Sequence, residues 1–477
     1  MAKFNQTNTR KTVNKSGHVA YRMEDKEKLA TMVLTTMFGE PKFYGDNTSE
    51  LVKIAERSDI EFVAHLAVYA RKEMHLRSVS HALAAIVANR GKEYTRQVVR
   101  GVVERPDDIA EILACYLNMY GKPVPNALKK ALADAMCCFN EYQFAKYKGG
   151  NKQVKFRDVL RITHPKADNK QAEIFGKILN DTLETPYTWE TQLSERGNNR
   201  KVWEELIDEN ALGYMAMLRN MRNILIADPK NINKVYAKIS DPDAVRKSKQ
   251  LPFRFLSAYR EIAPYASSKA LDAIESAADV SVENMERIPG KTLIAIDVSG
   301  SMTQSVSQKS SVSCADIARM IGSMAAKICD DCEVYEFDTN IRKVDVSTRS
   351  GVISNAMKIP VTGGGTNIRL PFELITDNEK HFDRVILLSD NEINGSWWSG
   401  GKKAVQSSAD EYRRKVNPNL WVHAIDLVGY GTQQFMGSRT NILAGWNERV
   451  LEFINIVERG GNKLVQEISQ YPIDTVR

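Results

Sequence analysis

The sequence predicts two architectures in one chain: an all-α helical-repeat half, then an α/β half built on a doubly wound, Rossmann-like parallel sheet. Three observations carry this. From about Asp25 to Ala278, apolar residues recur at three- and four-residue spacing. From Lys291 onward, short β-rich runs alternate with helical stretches, the pattern of a parallel sheet wrapped by helices. Between the two, Pro289-Gly290 ends the last helical stretch.

In the helical half, Leu29, Met32, Val33 and Met37 form one apolar stripe, and Ile60, Val63, Leu66 and Tyr69 form the next. The same periodicity predicts helices over 79–88, 95–103, 109–117 and 126–139. Breakers such as Arg105-Pro106 and Gly121-Lys122-Pro123 separate them at short intervals. Medium-length helices joined by short loops stack as hairpins of the solenoid kind. No repeat of fixed length is visible, so rhythm alone carries that reading.

In the second half, strands are predicted at 293–296, 332–337, 385–388 and 421–427, with helices at 315–328 and 410–415 between them. Three loops near strand carboxyl ends carry oxygen donors. The run Leu293-Ile294-Ala295-Ile296 leads into Asp297-Val298-Ser299-Gly300-Ser301, one carboxylate and two hydroxyls at alternate positions. Thr366 follows Gly363-Gly364-Gly365, and Asp390 closes Val385-Ile386-Leu387-Leu388-Ser389. Open parallel sheets bind their ligands in such loops. An incomplete all-oxygen shell suits a small hard cation, Mg2+ first, with Mn2+ or Ca2+ as alternatives.

At 477 residues, with 43% hydrophobic and 26% charged residues, the chain has the composition of a soluble protein of two or three domains. No apolar run approaches the roughly 18 residues of a membrane span. The first residues carry Lys3, Arg10, Lys11 and Lys15 without an apolar core, so 1–16 is expected to be a flexible basic arm rather than a signal peptide, and the cytoplasm is the expected compartment. Six cysteines do not make a disulfide framework in a chain of this length. In Cys329-Asp330-Asp331-Cys332 the intervening acids raise thiol pKa values, opposite to the needs of a redox pair. There is no Gly-x-x-x-x-Gly-Lys-Ser/Thr loop, no Gly-x-Ser-x-Gly elbow and no His-Glu-x-x-His pair, so no enzyme is expected.

The net charge of +7 is uneven. Residues 1–290 hold 45 Lys and Arg against 37 Asp and Glu, and the remainder 21 against 22. The basic excess therefore lies before the oxygen-donor loops, where it would favour a phosphate-bearing partner. Lys146, Lys148, Lys152, Lys155, Arg157, Arg161, His164 and Lys166 form its densest stretch, with Arg157 and Arg161 on one helix face. Arg71, Lys72 and Arg77 cluster near His75, and Arg219 and Arg222 lie three apart; these are further basic candidates for a phosphate-bearing partner, and they could as easily pair with acids such as Glu204 or Glu205. Trp397 and Trp398, in the glycine-rich stretch 394–401, form a candidate partner-binding lip beside the acid at 390.

Two resemblances gather these features. Asp297, Ser299 and Ser301, followed by Thr366 and Asp390, resemble the metal-ion-dependent adhesion site of von Willebrand factor A domains. That family holds the ion through hydroxyls and water-bridged aspartates and leaves one position for a partner's carboxylate. The segments 17–23 (GHVAYRM), 145–148 (AKYK), 156–166 (FRDVLRITHPK), 216–224 (AMLRNMRNI) and 428–431 (VGYG) resemble the TROVE module of the Ro ribonucleoprotein family.

The resemblance implies a HEAT-like helical-repeat ring over 17–285, closed by a von Willebrand factor A domain over 291–477. It implies binding of small structured noncoding RNA of the Y type on a basic outer surface, with Lys146, Lys148 and His164 at the family's RNA-contacting positions. It implies acceptance of the single-stranded ends of misfolded RNA in a central hole. The expected activity is scaffolding and quality control of RNA. A monomer in a one-to-one RNA complex is expected, without DNA or membrane. The alternative is a metal-dependent adaptor that grips a partner carboxylate, an exoribonuclease being one candidate.

Overall fold

The structure is a computed structural model. It describes residues 11–13, 19–35, 46–148, 153–250, 252–283, 285–305, 312–347, 349–391, 393, 404–429, 432–446, 449–460 and 463–473, with side chains of the helix 46–57 described from residue 51 onward. Nine strands are named in chain order: β1 (Lys11–Val13), β2 (Val19–Arg22), β3 (Ile288–Asp297), β4 (Cys329–Phe337), β5 (Ile341–Val344), β6 (Arg384–Ser389), β7 (Trp421–Asp426), β8 (Thr432–Gln433) and β9 (Thr440–Ala444). By their contacts the residues form two compact units, Met37–Leu212 with Val465–Arg477, and Met1–Thr36 with Gly213–Leu464.

The first of these units is a stack of helices. Ile60–Lys72 packs on Ser78–Arg90, which packs on Pro106–Tyr120, while Thr95–Val102 packs on Asn126–Met136. The predicted periodicity lies inside these helices because apolar residues at that spacing fall on the buried face. Phe62, Val63, Leu66 and Tyr69 are buried from one helix, and Leu83, Ile86 and Val87 from the next. Pro106 opens its helix at the first position, where its missing N–H costs nothing.

The other unit is organised by a six-stranded sheet in the order β5-β4-β3-β6-β7-β9. All its pairings are parallel except the antiparallel edge between β4 and β5. All six residues of β6 are buried, as are the last six of β3, which is why both read as continuous apolar runs. Leu293, Phe372, Phe382, Val385 and Tyr412 fill the core on one face. On the other face the helix Cys314–Ile328 comes so close that a Cβ on Gly322 would lie 2.4 Å from Ile296 Cδ1. The chain leaves β3 toward β4 and leaves β6 toward β7, in opposite directions. The carboxyl ends of β3 and β6 thus form the switch point of the sheet, where a ligand crevice opens.

The fold class is the expected one, helices first and a doubly wound sheet second. The edge strands β5 and β9 escaped the sequence reading because each is short and only one side of an edge strand is paired. Two further features depart from it. Lys11–Val13, expected within a flexible arm, pair with β2, and β2 pairs with β8. Backbone hydrogen bonding to a strand seated by buried Ala20 and Tyr21 orders that segment. The contact division also cuts across the change of period near 290. The helices Pro252–Ile262 and Ser268–Glu283 pack with Cys314–Ile328 and Val352–Lys358 of the sheet unit. Arg260 reaches Asp316 there at 2.7 Å.

Candidate functional site

The oxygen-donor loops meet at the switch point. Asp297 ends β3, and its Oδ1 accepts from the Ser299 N–H at 3.0 Å, which turns the chain tightly. Its Oδ2 accepts from the Ser389 hydroxyl at 2.6 Å. Ser299 and Ser301 bring their hydroxyls within 3.2 Å of each other. Gly300 N–H donates to Gly364 O at 2.7 Å, and Gly363 N–H donates to Val298 O at 3.0 Å, so the first loop and the triple-glycine loop are tied by backbone. Glycine eases that approach: a Cβ on Gly300 would lie 3.0 Å from Gly363 O, and one on Gly364 would crowd the Asp338 carboxylate, at 2.8 Å from Oδ2.

Asp297, Ser299, Thr366 and Asp390 are buried, and Ser301 is half-buried at the mouth. Burial, and then the like charge of Asp390, push the Asp297 carboxyl well above the ordinary carboxylate range. The donor set is wholly oxygen, and two buried acids face one another's charge. A small divalent ion fits these residues, since it would offset both charges and prefers hydroxyl and carboxylate ligands. All five residues singled out in the sequence are donors on the three loops that meet there.

The sequence reading passed over Ser389 and Asp426. Asp426 ends β7 as Asp390 follows β6, an apolar run ending in an acid, and that signal was present. Its Oδ1 accepts from the Val428 and Gly429 N–H groups at 2.9 and 2.8 Å, and burial pushes its carboxyl up to about 7.

The basic candidates divide by their partners. Lys146, Lys148, Lys155, Arg157, Arg161, His164 and Lys166 are all exposed, while Lys152 lies outside the described residues. They lie on, between and just after the helices Glu141–Tyr147 and Phe156–Thr163. Lys148 pairs with Asp181 at 2.6 Å. Among the described residues no acid lies within ion-pair distance of Lys146, Lys155, Arg157, Arg161, His164 or Lys166. His164 caps its helix in the left-handed region, with φ of 47°, and its N–H donates to Leu160 O. A left-handed residue that is not glycine is uncommon, and the helix stops there with the imidazole in solvent.

Arg71, Lys72 and Arg77, expected to contact single-stranded RNA, are engaged in ion pairs within the fold. Arg71 is 8% exposed, and its guanidinium meets Glu104 at 3.0 Å and Asp108 at 3.4 Å. Lys72 pairs with Glu104 at 2.9 Å, and Arg77 meets both Asp107 and Asp108 at 2.6 Å. Burial raises the Asp108 pKa, but His81, Arg77 and Arg71 together hold it far below the carboxylate range. These cations neutralise the half-buried Glu104 and the buried Asp107 and Asp108 of their own fold. Arg219 and Arg222 are exposed, and Arg222 pairs with Glu261. Trp397 and Trp398 lie outside the described residues.

A stacked-helix unit carrying an exposed basic strip, and a doubly wound sheet with an oxygen-lined switch point, make a two-part protein rather than a single compact domain. The TROVE domain model matches residues 47–183 and 176–361, more than half of the sequence, and the chain belongs to the TROVE domain family. The second match runs past the change of period near 290 and into the sheet. Telomerase protein component 1 of Rattus norvegicus is 26% identical over 287 residues, 42% of this chain and 11% of the relative. The RNA-binding protein RO60 of Caenorhabditis elegans is 26% identical over 223 residues, 43% of this chain and 33% of the relative. The chain therefore spans a third or less of the length of these curated relatives. The crystal structure of the Deinococcus radiodurans Ro (RSR) protein shares the fold, with a TM-score of 0.62 at 17% identity over 92% of this chain and 100% of that one.

Proposed function

We propose that this TROVE-family chain is a non-enzymatic RNA-binding protein that takes a small structured RNA, of the Y type, on the strip from Lys146 to Lys166. One observation carries the reading. Six exposed cationic or imidazole side chains in that strip have no acid within ion-pair distance among the described residues, whereas the Arg71–Arg77 cluster is neutralised internally. Arginines four apart on one face offer planar forks to successive phosphates, and the imidazole of His164 can stack on a base or donate to phosphate. The kinship with a protein named for RNA binding supports this. Single-stranded ends of misfolded RNA would be held on a second, arginine-bearing helical surface, in a scaffolding and quality-control role.

The oxygen-lined switch point supports a second activity. Asp297, Ser299, Ser301, Thr366 and Asp390 would hold Mg2+, and the bound ion would supply a Lewis-acidic position for a partner protein's carboxylate. In this chain's own chemistry, Ser389 orients Asp297 and the glycine contacts hold the loops together.

The test of the RNA reading separates the two sites. Lys146→Ala/Lys148→Ala/His164→Ser should weaken binding of a small structured RNA by at least tenfold and lower its salt dependence, while Asp297→Ala leaves binding near wild type. Filter binding at two salt concentrations reads this. No affinity at low salt, or equal loss from both variants, would remove the assignment.

A further inference from the structure

Asp316 is joined to both of the loops that carry hydroxyl donors. It is the third residue of the helix Cys314–Ile328, where its Oδ2 accepts from the Ser313 N–H at 3.0 Å and its own N–H donates to the Ser313 hydroxyl at 3.2 Å. That reciprocal cap fixes Ser313, which pairs with Ser305 in an isolated antiparallel bridge. Cys314 N–H then donates to Gln304 O at 3.1 Å, and Gln304 N–H to Ser301 O at 3.4 Å. The loop bearing Ser299 and Ser301 is thus tied to the start of this helix.

The loop bearing Thr366 is reached from the other carboxylate oxygen. Asp316 Oδ1 accepts from Arg319 Nη2 at 2.8 Å, and Arg319 Nη1 donates to Ile359 O at 2.8 Å. Ile359 begins the stretch that runs through Gly363-Gly364-Gly365 to Thr366. Asp316 and Arg319 are both buried, so solvent does not loosen the pair. Arg260 completes the arrangement from the helix Pro252–Ile262, its Nη2 meeting the same Asp316 Oδ1 at 2.7 Å. Arg319 alone neutralises Asp316, so charge balance does not call for a second cation. What Arg260 adds is position, because a charge-assisted guanidinium bond is short and directional. Its helix packs in turn on Tyr214–Arg219 and Met221–Ala227.

We propose that Arg260 is a positioning residue for the metal centre: acting through Asp316, it holds the two hydroxyl-bearing loops in place and couples ion binding there to the helix Pro252–Ile262. This rests on the reading of Asp297, Ser299, Ser301, Thr366 and Asp390 as ion ligands. Whatever favours the ion-binding arrangement of the loops raises affinity for the ion, and by linkage the ion strengthens the Arg260–Asp316 contact to the same extent.

Titration of the full chain with Mn2+, read by the EPR signal of the free ion, tests it. Arg260→Ala should weaken Mn2+ binding about fivefold, at the low end for residues that act on an ion through its ligands. Arg260→Lys, which can still reach a single carboxylate oxygen, should stay within about twofold of wild type. Hydrogen exchange read by mass spectrometry separates coupling from mere support. Mg2+ should slow exchange across 252–262 in the wild type, whereas in Arg260→Ala it should slow only the loops 297–305 and 359–366. Thermal melts in chelator confirm that each variant is folded. Unchanged Mn2+ affinity in Arg260→Ala, or Mg2+-dependent protection of 252–262 that persists in that variant, overturns the coupling and leaves the metal centre standing. A wild type that binds Mn2+ without gaining protection at 252–262 overturns it as well. If the wild type binds no Mn2+, both fall.

Discussion

The N–H of Ile353 donates to Glu275 Oε1 at 2.7 Å, so a residue of the helix Ser268–Glu283 caps the helix Val352–Lys358 of the sheet region. Ser354 adds its N–H and hydroxyl to Glu275 Oε2 at 3.1 and 2.8 Å, and Asp279 accepts from the Val352 N–H at 2.9 Å. A side chain 78 residues away thus supplies the cap that the local sequence, opening with Gly351, lacks.

Glu275→Ala should destabilise the sheet unit by about 2 kcal/mol, because charge-assisted bonds to helix-terminal N–H groups are lost together. Gly351→Ala should cost a similar amount, since its Cβ would lie 1.9 Å from Glu275 Oε1. The two losses should not add, because removing the carboxylate removes the clash. Chemical denaturation of both single variants and the double variant measures that coupling.

Arg77→Ala should destabilise the helical unit by about 3 kcal/mol, since it leaves Asp107 and Asp108 buried with fewer partners. The folded fraction should bind structured RNA as wild type does. Urea melts and filter binding on the same preparation test both halves of the statement, and a stable variant with lost RNA affinity would return Arg77 to the RNA path.

Mg2+ should raise the melting temperature, with a stabilisation of about 2.7 kcal/mol at a hundredfold excess over its Kd. Asp390→Ala should abolish the shift. Differential scanning fluorimetry with Mg2+, Mn2+, Ca2+ and chelator reads it, and a melt insensitive to all three ions would refute the metal centre.

Glu458 should contribute an acid-labile share of stability. Burial alone would raise its pKa, but Arg384, at 2.7 Å, and His423 bring it down to about 2. Burial also lowers the His423 pKa, so at neutral pH the imidazole is a hydrogen-bond donor and Arg384 the cation. A depressed carboxylate stabilises the fold above the unfolded value near 4.5, and that share is lost as pH falls from there through about 2. The share is about 3 kcal/mol. Melting temperatures of wild type and Glu458→Gln, compared from pH 7 to pH 2, should converge across that window.

The site residues were legible to different degrees. Asp297, Ser299 and Ser301 stand next to an apolar run in the sequence, and Asp390 follows another, so their place at strand ends could be read from pattern alone. Which cations face solvent could not. Arg71 and Arg157 look alike in sequence, yet the partners of Arg71, Glu104 and Asp108, lie more than 30 residues away, just before and within the helix Pro106–Tyr120.

Periodicity by itself determined the two architectures and most helix and strand positions, because burial of one face repeats at the spacing of the local structure. Residue type and order, not periodicity, singled out Asp297, Ser299, Ser301, Thr366 and Asp390 as oxygen-bearing side chains at loop positions. Tertiary structure decided which helices pack with the sheet, which acids neutralise which arginines and which basic side chains stay unpaired. The physical reason is range. Apolar spacing is set by neighbours within a turn or a strand, whereas charge pairing and capping depend on groups brought together only when the chain folds.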